Sequence, residues 1–195
     1  MKSFPQLKAV LFGIALFPVF RLLWLGYSHQ LGANPIEFIT RSLGTWTLVF
    51  LMITLGITPL RKLSGWNWLV RLRRMAGLYA FFYALLHFIT YIWLDQFFDM
   101  PAILKDVVKR PFITVGFAAF VMLIPLAITS TNAMMKKLGK RWQTLHRLLY
   151  AIAIFSVVHY WWLVKKDITQ PLIYAAVLSV LLGFRVLTAK FWNRV

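Results

Sequence analysis

Three histidines sit where ionisable side chains are seldom found. His146 and His159 share one apolar stretch, WQTLHRLLYAIAIFSVVHYWWLV (142–164), and stand thirteen residues apart. At about 1.5 Å rise per residue that is roughly 20 Å along a helix, so one lies near a membrane face and the other well inside. His87 occupies the middle of a second such stretch, RMAGLYAFFYALLHFITYIWL. An ionisable group at membrane depth is costly, and a functional reason for it is the default hypothesis. Imidazoles on neighbouring helices can clamp one haem iron from both sides, which is a site for electron transfer.

The elements that must position these rings are transmembrane helices. The chain has 195 residues, 61% hydrophobic and only 14% charged, which excludes an ordinary soluble domain. Six segments reach or approach the length that crosses a bilayer: 7–27, 43–60, 75–94, 111–129, 142–164 and 171–188. The expected architecture is therefore an all-α integral membrane protein, a bundle of six transmembrane helices. Pro18 and Pro125 fall inside the first and fourth segments, where they kink a helix, while Pro111 and Pro171 suit a first helical turn. Small residues such as Gly77, Ala84, Gly116 and Ala119 allow close backbone approach. No internal repeat is visible. The first apolar run lacks a small-residue cleavage site after it and is expected to be a retained helix.

Charge orients the bundle. With the N-terminus in the cytoplasm, seven cations (Arg21, Arg41, Lys105, Lys109, Arg110, Lys165, Lys166) and all five acids fall outside. The remaining basic residues of the 22, from Lys2 and Lys8 through Arg74, Lys136 and Arg147 to Arg185, Lys190 and Arg194, fall inside. That excess of Lys and Arg predicts both termini on the cytoplasmic side. The third and fifth helices then run the same way. His87 lies thirteen residues beyond Arg74, as His159 lies beyond His146, so the two deep histidines arrive at one level. His146 stays near the inner face, without a histidine at its level on the third helix. Thirteen steps of 100° put His146 and His159 about 140° apart around a straight helix, so serving two sites needs a bend, a π-bulge or offset cofactors.

Other residues read more plainly. His29, in YSHQLGANP, is a solvated loop residue; Arg21 either snorkels to the outer interface or pairs with a haem propionate. The basic clusters at 71–74 and 135–141 mark the inner side, and could also hold a phosphate-bearing cofactor or dock a reductase. Tyr160, Trp161 and Trp162 read as an interfacial belt. The absence of cysteine removes disulfides, thiolate metal sites and covalent haem attachment. No acid lies in a helix centre, which argues against ion-coupled transport, and no nucleic-acid-binding module accompanies the net charge of +17. A self-contained transmembrane ferric or oxygen reductase is the rival that the histidines leave open, with a small-molecule transporter behind it.

Four stretches carry a resemblance: LGANPIEFITRSLGTWTLVFLMITLGITPL, RRMAGLYAFFYALLHFITY, KRPFITVGFAAFVMLIPLAITS and ITSTNAMMKKLGKRWQTLHRLLYAIAIFSVVHYWWLVK. Together they resemble the MsrQ family, haem-binding membrane subunits of bacterial periplasmic methionine-sulfoxide reductase systems, within the wider ferric-reductase-like transmembrane superfamily. The resemblance implies one ferric-reductase-like transmembrane domain over 1–195, in the bacterial inner membrane, carrying one or two b-type haems. His87 and His159 match the family's bis-histidine pair, and His146 matches the histidine of a second, inner haem. It further implies FMN, electrons from the quinone pool or a cytosolic flavin reductase, and delivery to the periplasmic molybdopterin subunit MsrP, which repairs oxidised methionine. Arg74 stands where the wider superfamily has a second histidine on the third helix, and no soluble flavin domain follows.

Overall fold

The computed structural model describes residues 4–164 and 166–192. Of the cations used above for orientation, Lys2, Lys165 and Arg194 lie outside the described residues, as does the side chain of Lys190. Among the described residues the chain is helical and carries no strand.

Among the described residues nine α-helices follow one another: α1 Phe4–Tyr27, α2 Pro35–Ser64, α3 Val70–Thr90, α4 Met100–Lys109, α5 Pro111–Ile128, α6 Asn132–Leu138, α7 Lys140–His146, α8 Leu148–Leu163 and α9 Thr169–Trp192. Their ends are set by local chemistry. The Asn34 side chain accepts from the Glu37 N–H to cap α2, Pro35 opens its first turn, and Glu37 faces the positive end of the helix dipole. Gly65 closes α2 in the left-handed region at φ 74°, its N–H donating to Arg61 O. Asp99 and Thr131 cap α4 and α6 in the same way as Asn34 caps α2. Past His87, α3 widens into a π-helical turn, Tyr91–Asp95, of the kind found beside functional sites.

Among the described residues five helical segments are long and apolar enough to cross a membrane: Pro5–Tyr27, Pro35–Ser64, Asn67–Asp95, Pro111–Ile128 and Thr169–Thr188. The chain is a multi-pass helical membrane protein. The fifth of the expected segments (142–164) is not a single continuous helix. The chain breaks at Arg147, where Arg147 N–H donates to Thr144 O and Tyr150 N–H to Arg147 O, tightening a turn between α7 and α8. The cause lies in the sequence: Lys140, Arg141, His146 and Arg147 make the start of that stretch polar, and α8 keeps only its apolar 16 residues.

The bundle is built from two antiparallel pairs. On α2 and α3, Gly44 meets His87 while Thr54 meets Gly77, so numbers rise on one helix as they fall on the other. On α5 and α8, Gly116 meets His159, and beyond their other ends Thr129 and Ser130, just past α5, meet Trp142 and His146 of α7. An aromatic stack of Phe50 with Tyr79 and Tyr83, at 5.3 and 5.4 Å, fills the first pair. The two tyrosine hydroxyls donate to Phe12 O and Ala15 O and so tie α1 down. Leu51, Leu55, Ala80, Tyr83, Ile152 and Ala153 are wholly buried at the centre. Apolar side chains of α1 and α9 such as Phe17, Leu23, Val180 and Leu187 point outward, as lipid-facing residues do. Arg185 of α9 turns inward, bonding Tyr150 Oη and Leu55 O.

Candidate functional site

His87 and His159 come together. Their ring centroids are 6.2 Å apart with the planes at 78°, and both rings line one cavity of about 720 Å³ between the two helix pairs. Each ring is held by a main-chain carbonyl: His87 Nδ1 lies 2.9 Å from Thr40 O, and His159 Nδ1 lies 2.6 Å from Phe112 O. A carbonyl only accepts, so Nδ1 carries the proton on both rings and Nε2 keeps its lone pair. Neither Nε2 has a hydrogen-bond partner among the described residues. This is the orientation that second-shell acceptors impose on metal-ligating histidines.

Two nitrogens are too few to hold a bare transition metal. Among the described residues no group of three or more His, Cys, Asp or Glu side chains could do so. A metal between these rings must bring its remaining ligands with it, as porphyrin iron does. Two metal–imidazole bonds of about 2 Å, with the distance from each nitrogen to its ring centre added, come to roughly 6 Å, which agrees with the observed separation. Leu48, Phe88, Phe120 and Leu123 supply apolar walls, while Arg41 and Arg110 stand at the rim. Each of those arginines is paired with a carboxylate one turn away, Glu37 and Asp106. Two buried hydroxyls also line the cavity without a well-formed hydrogen bond, those of Thr40 and of Tyr91, the latter beside the Asp106 carboxylate. A flat apolar ring with acidic groups along one edge suits such a lining, and the residues present fit a haem.

The other expected site residues fall elsewhere. His146 does not line this cavity. Its ring stacks on Trp142 at 3.8 Å, with Nδ1 on Trp142 O at 3.0 Å and Nε2 3.4 Å from Ser130 Oγ. Arg21 also stays out of the cavity, exposed on α1 beside Phe17 and Trp24. His29 is an exposed loop residue, as expected. Tyr160 corrects the belt reading in part: it lines the cavity and packs edge-on against Tyr174, while Trp162 is 53% exposed.

Sequence reasoning missed the groups that hold the histidines. Thr40 and Phe112 act through main-chain carbonyls, which leave no trace in residue type. Gly44 and Gly116 did leave one, since glycine is disfavoured in a helix interior and an unexplained one there marks close packing.

Paired imidazoles, locked by carbonyls inside an apolar cavity, define a class: a helical membrane protein with two carbonyl-held histidines facing each other across one interhelical cavity. Residues 42–157 match the family described as ferric reductase like transmembrane component. The chain is also 62% identical to the protein-methionine-sulfoxide reductase heme-binding subunit MsrQ of Herminiimonas arsenicoxydans, over 96% of this chain and 87% of that relative. Its identity to the MsrQ of Bordetella pertussis is 55%, over 99% and 94% of the two chains, and to that of Azospira oryzae 57%, over 95% and 80%. The chain belongs to the MsrQ family, within the ferric-reductase-like transmembrane class. No solved structure matches it.

Proposed function

We propose that this chain is the haem b electron-transfer subunit of a bacterial methionine-sulfoxide reductase system. In this reading it is a single six-span domain of the inner membrane with both termini cytoplasmic, and it serves a periplasmic molybdopterin catalytic subunit, MsrP. The observation that carries the proposal is the His87–His159 pair, 6.2 Å apart and fixed at Nδ1 by two carbonyls.

When bound, the haem supplies a reversible one-electron couple. The protein does the rest. His87 and His159 would hold the iron through Nε2, and the carbonyls of Thr40 and Phe112 keep both rings in the tautomer suited to ligation and raise their basicity. Leu48, Phe120 and Leu123 exclude water and keep the surroundings of low polarity. Arg41 and Arg110 at the rim would offset the negative charge that a haem carries. By the family resemblance, His146 would serve a second, inner haem, apart from the cavity that His87 and His159 line. The cationic inner face, with Arg71, Arg74, Lys136 and Lys137, takes electrons from the quinone pool or from a cytosolic flavin reductase, with FMN as the flavin.

The test is the absorption spectrum of the detergent-purified protein with haem quantitation. His87→Ala and His159→Ala are each expected to abolish the low-spin haem bands, while His146→Ala removes only part of the haem. A wild-type spectrum in both of the first two variants would defeat the assignment. Reduction of iron or oxygen by the purified chain without a periplasmic partner would favour the self-contained reductase instead.

A further inference from the structure

The two histidines are held by the same device, repeated. His87 reaches Thr40 O and His159 reaches Phe112 O, each across 47 residues of chain. In each case a glycine stands one helical turn after the accepting carbonyl: Gly44 follows Thr40 on α2, and Gly116 follows Phe112 on α5. The offset from α2–α3 to α5–α8 is therefore the same for carbonyl, glycine and histidine. Leu51 and Leu123, both buried, keep that offset too. The bundle contains an internal repeat that the sequence hides, because few residue types other than the glycines and histidines match across it.

The glycines have a physical reason. A side chain on a helix lies back over the turn preceding its own Cα. Any side chain at 44 or 116 would thus cover the carbonyl at 40 or 112 and block a ring approaching from the next helix. A Cβ on Gly116 would lie 2.6 Å from His159 Nδ1 and 2.8 Å from its Cε1, closer than real contacts allow. A Cβ on Gly44 would lie 3.2 Å from His87 Cε1 and 3.3 Å from Nδ1, tight but open to a small shift. Each carbonyl has two lone pairs, so it can accept the helical N–H of the glycine and the imidazole N–H together.

We propose that Gly44 and Gly116 are positioning residues of the two-histidine site: their bare backbone lets each imidazole lie against the opposite helix and lock its Nδ1 on the carbonyl one turn earlier. The role rests on the haem reading above. It assigns the more sensitive position to Gly116, where no room exists, and the milder one to Gly44.

The experiment compares Gly116→Ala, Gly44→Ala and Gly183→Ala in the full-length, haem-loaded protein, by absorption and electron paramagnetic resonance spectra and by redox titration. Gly183 is the control, since a Cβ there would meet nothing within 4 Å. Gly116→Ala is expected to lose most of the low-spin signature, with haem affinity falling about ten- to a hundred-fold, as for other losses of second-shell support. Gly44→Ala is expected to keep low-spin haem with altered resonance positions and a shifted midpoint potential, and Gly183→Ala to match wild type. A merely structural glycine would move stability without moving the spectrum or the potential. If Gly116→Ala fails to accumulate, Gly44→Ala decides: wild-type resonances and potential there overturn the proposal. Loss of the haem bands in His87→Ala and His159→Ala beside unchanged glycine variants would sink the positioning role alone. Wild-type bands in the histidine variants would sink the haem reading as well.

Discussion

Replacing His159 by glycine should leave a hole that a free imidazole can fill, and the structure says which imidazoles will do so. The hole keeps its one polar contact, Phe112 O, and opens on the cavity facing His87. Imidazole added from solution can donate its N–H to that carbonyl while its other nitrogen faces the cavity. Having lost the covalent tether, it must be supplied at roughly the millimolar effective concentrations that a short tether provides. 1-Methylimidazole has no N–H to donate. Phe112 O keeps the helical N–H of Gly116, so it is not orphaned by the loss, and the difference is the net value of one hydrogen bond, about 0.5–1.5 kcal/mol. With a tenfold change in affinity for each 1.4 kcal/mol, 1-methylimidazole should restore the low-spin bands about 2- to 12-fold more weakly. The added methyl would also press on the carbonyl, so that range is a lower bound. The assay is a spectrophotometric titration of the purified variant with both ligands, normalised to the same titrations on free haem in the same detergent. Equal normalised affinities would refute the claim that the Phe112 carbonyl orients the ligand.

Two further changes test the packing that supports the site. Tyr83→Phe removes a buried hydroxyl that donates to Ala15 O at 2.6 Å, so thermal unfolding in detergent should show a loss of about 1 kcal/mol with proteolysis of α1 accelerated; unchanged stability would mean that α1 is held by lipid-facing packing alone. Ile152→Ala truncates a wholly buried side chain in the second turn of α8 and should cost about 2 kcal/mol, the low end of the soluble range, because in lipid the loss is mainly of packing contacts. A denaturation midpoint within error of wild type would show that the helices close over the gap.

The sequence by itself determined that the chain enters the membrane, which segments are apolar enough to do so, and that His87 and His159 arrive at one depth. These are one-dimensional properties: hydropathy sums along the chain, and helical rise turns residue number into height. The break at Arg147 was not legible: the cations around it marked only the inner side, and the 140° separation allowed a bend, a π-bulge or offset cofactors without choosing among them. Only the tertiary structure decided that the two imidazoles face each other, that Thr40 and Phe112 hold them, and that Gly44 and Gly116 make room. The reason is physical. A main-chain carbonyl is present at every position, so nothing in a residue's identity announces that it will accept a distant imidazole; helix packing alone selects it. The repeat stayed hidden for the same cause, because the same backbone geometry recurs in the two halves while most of the side chains around it differ.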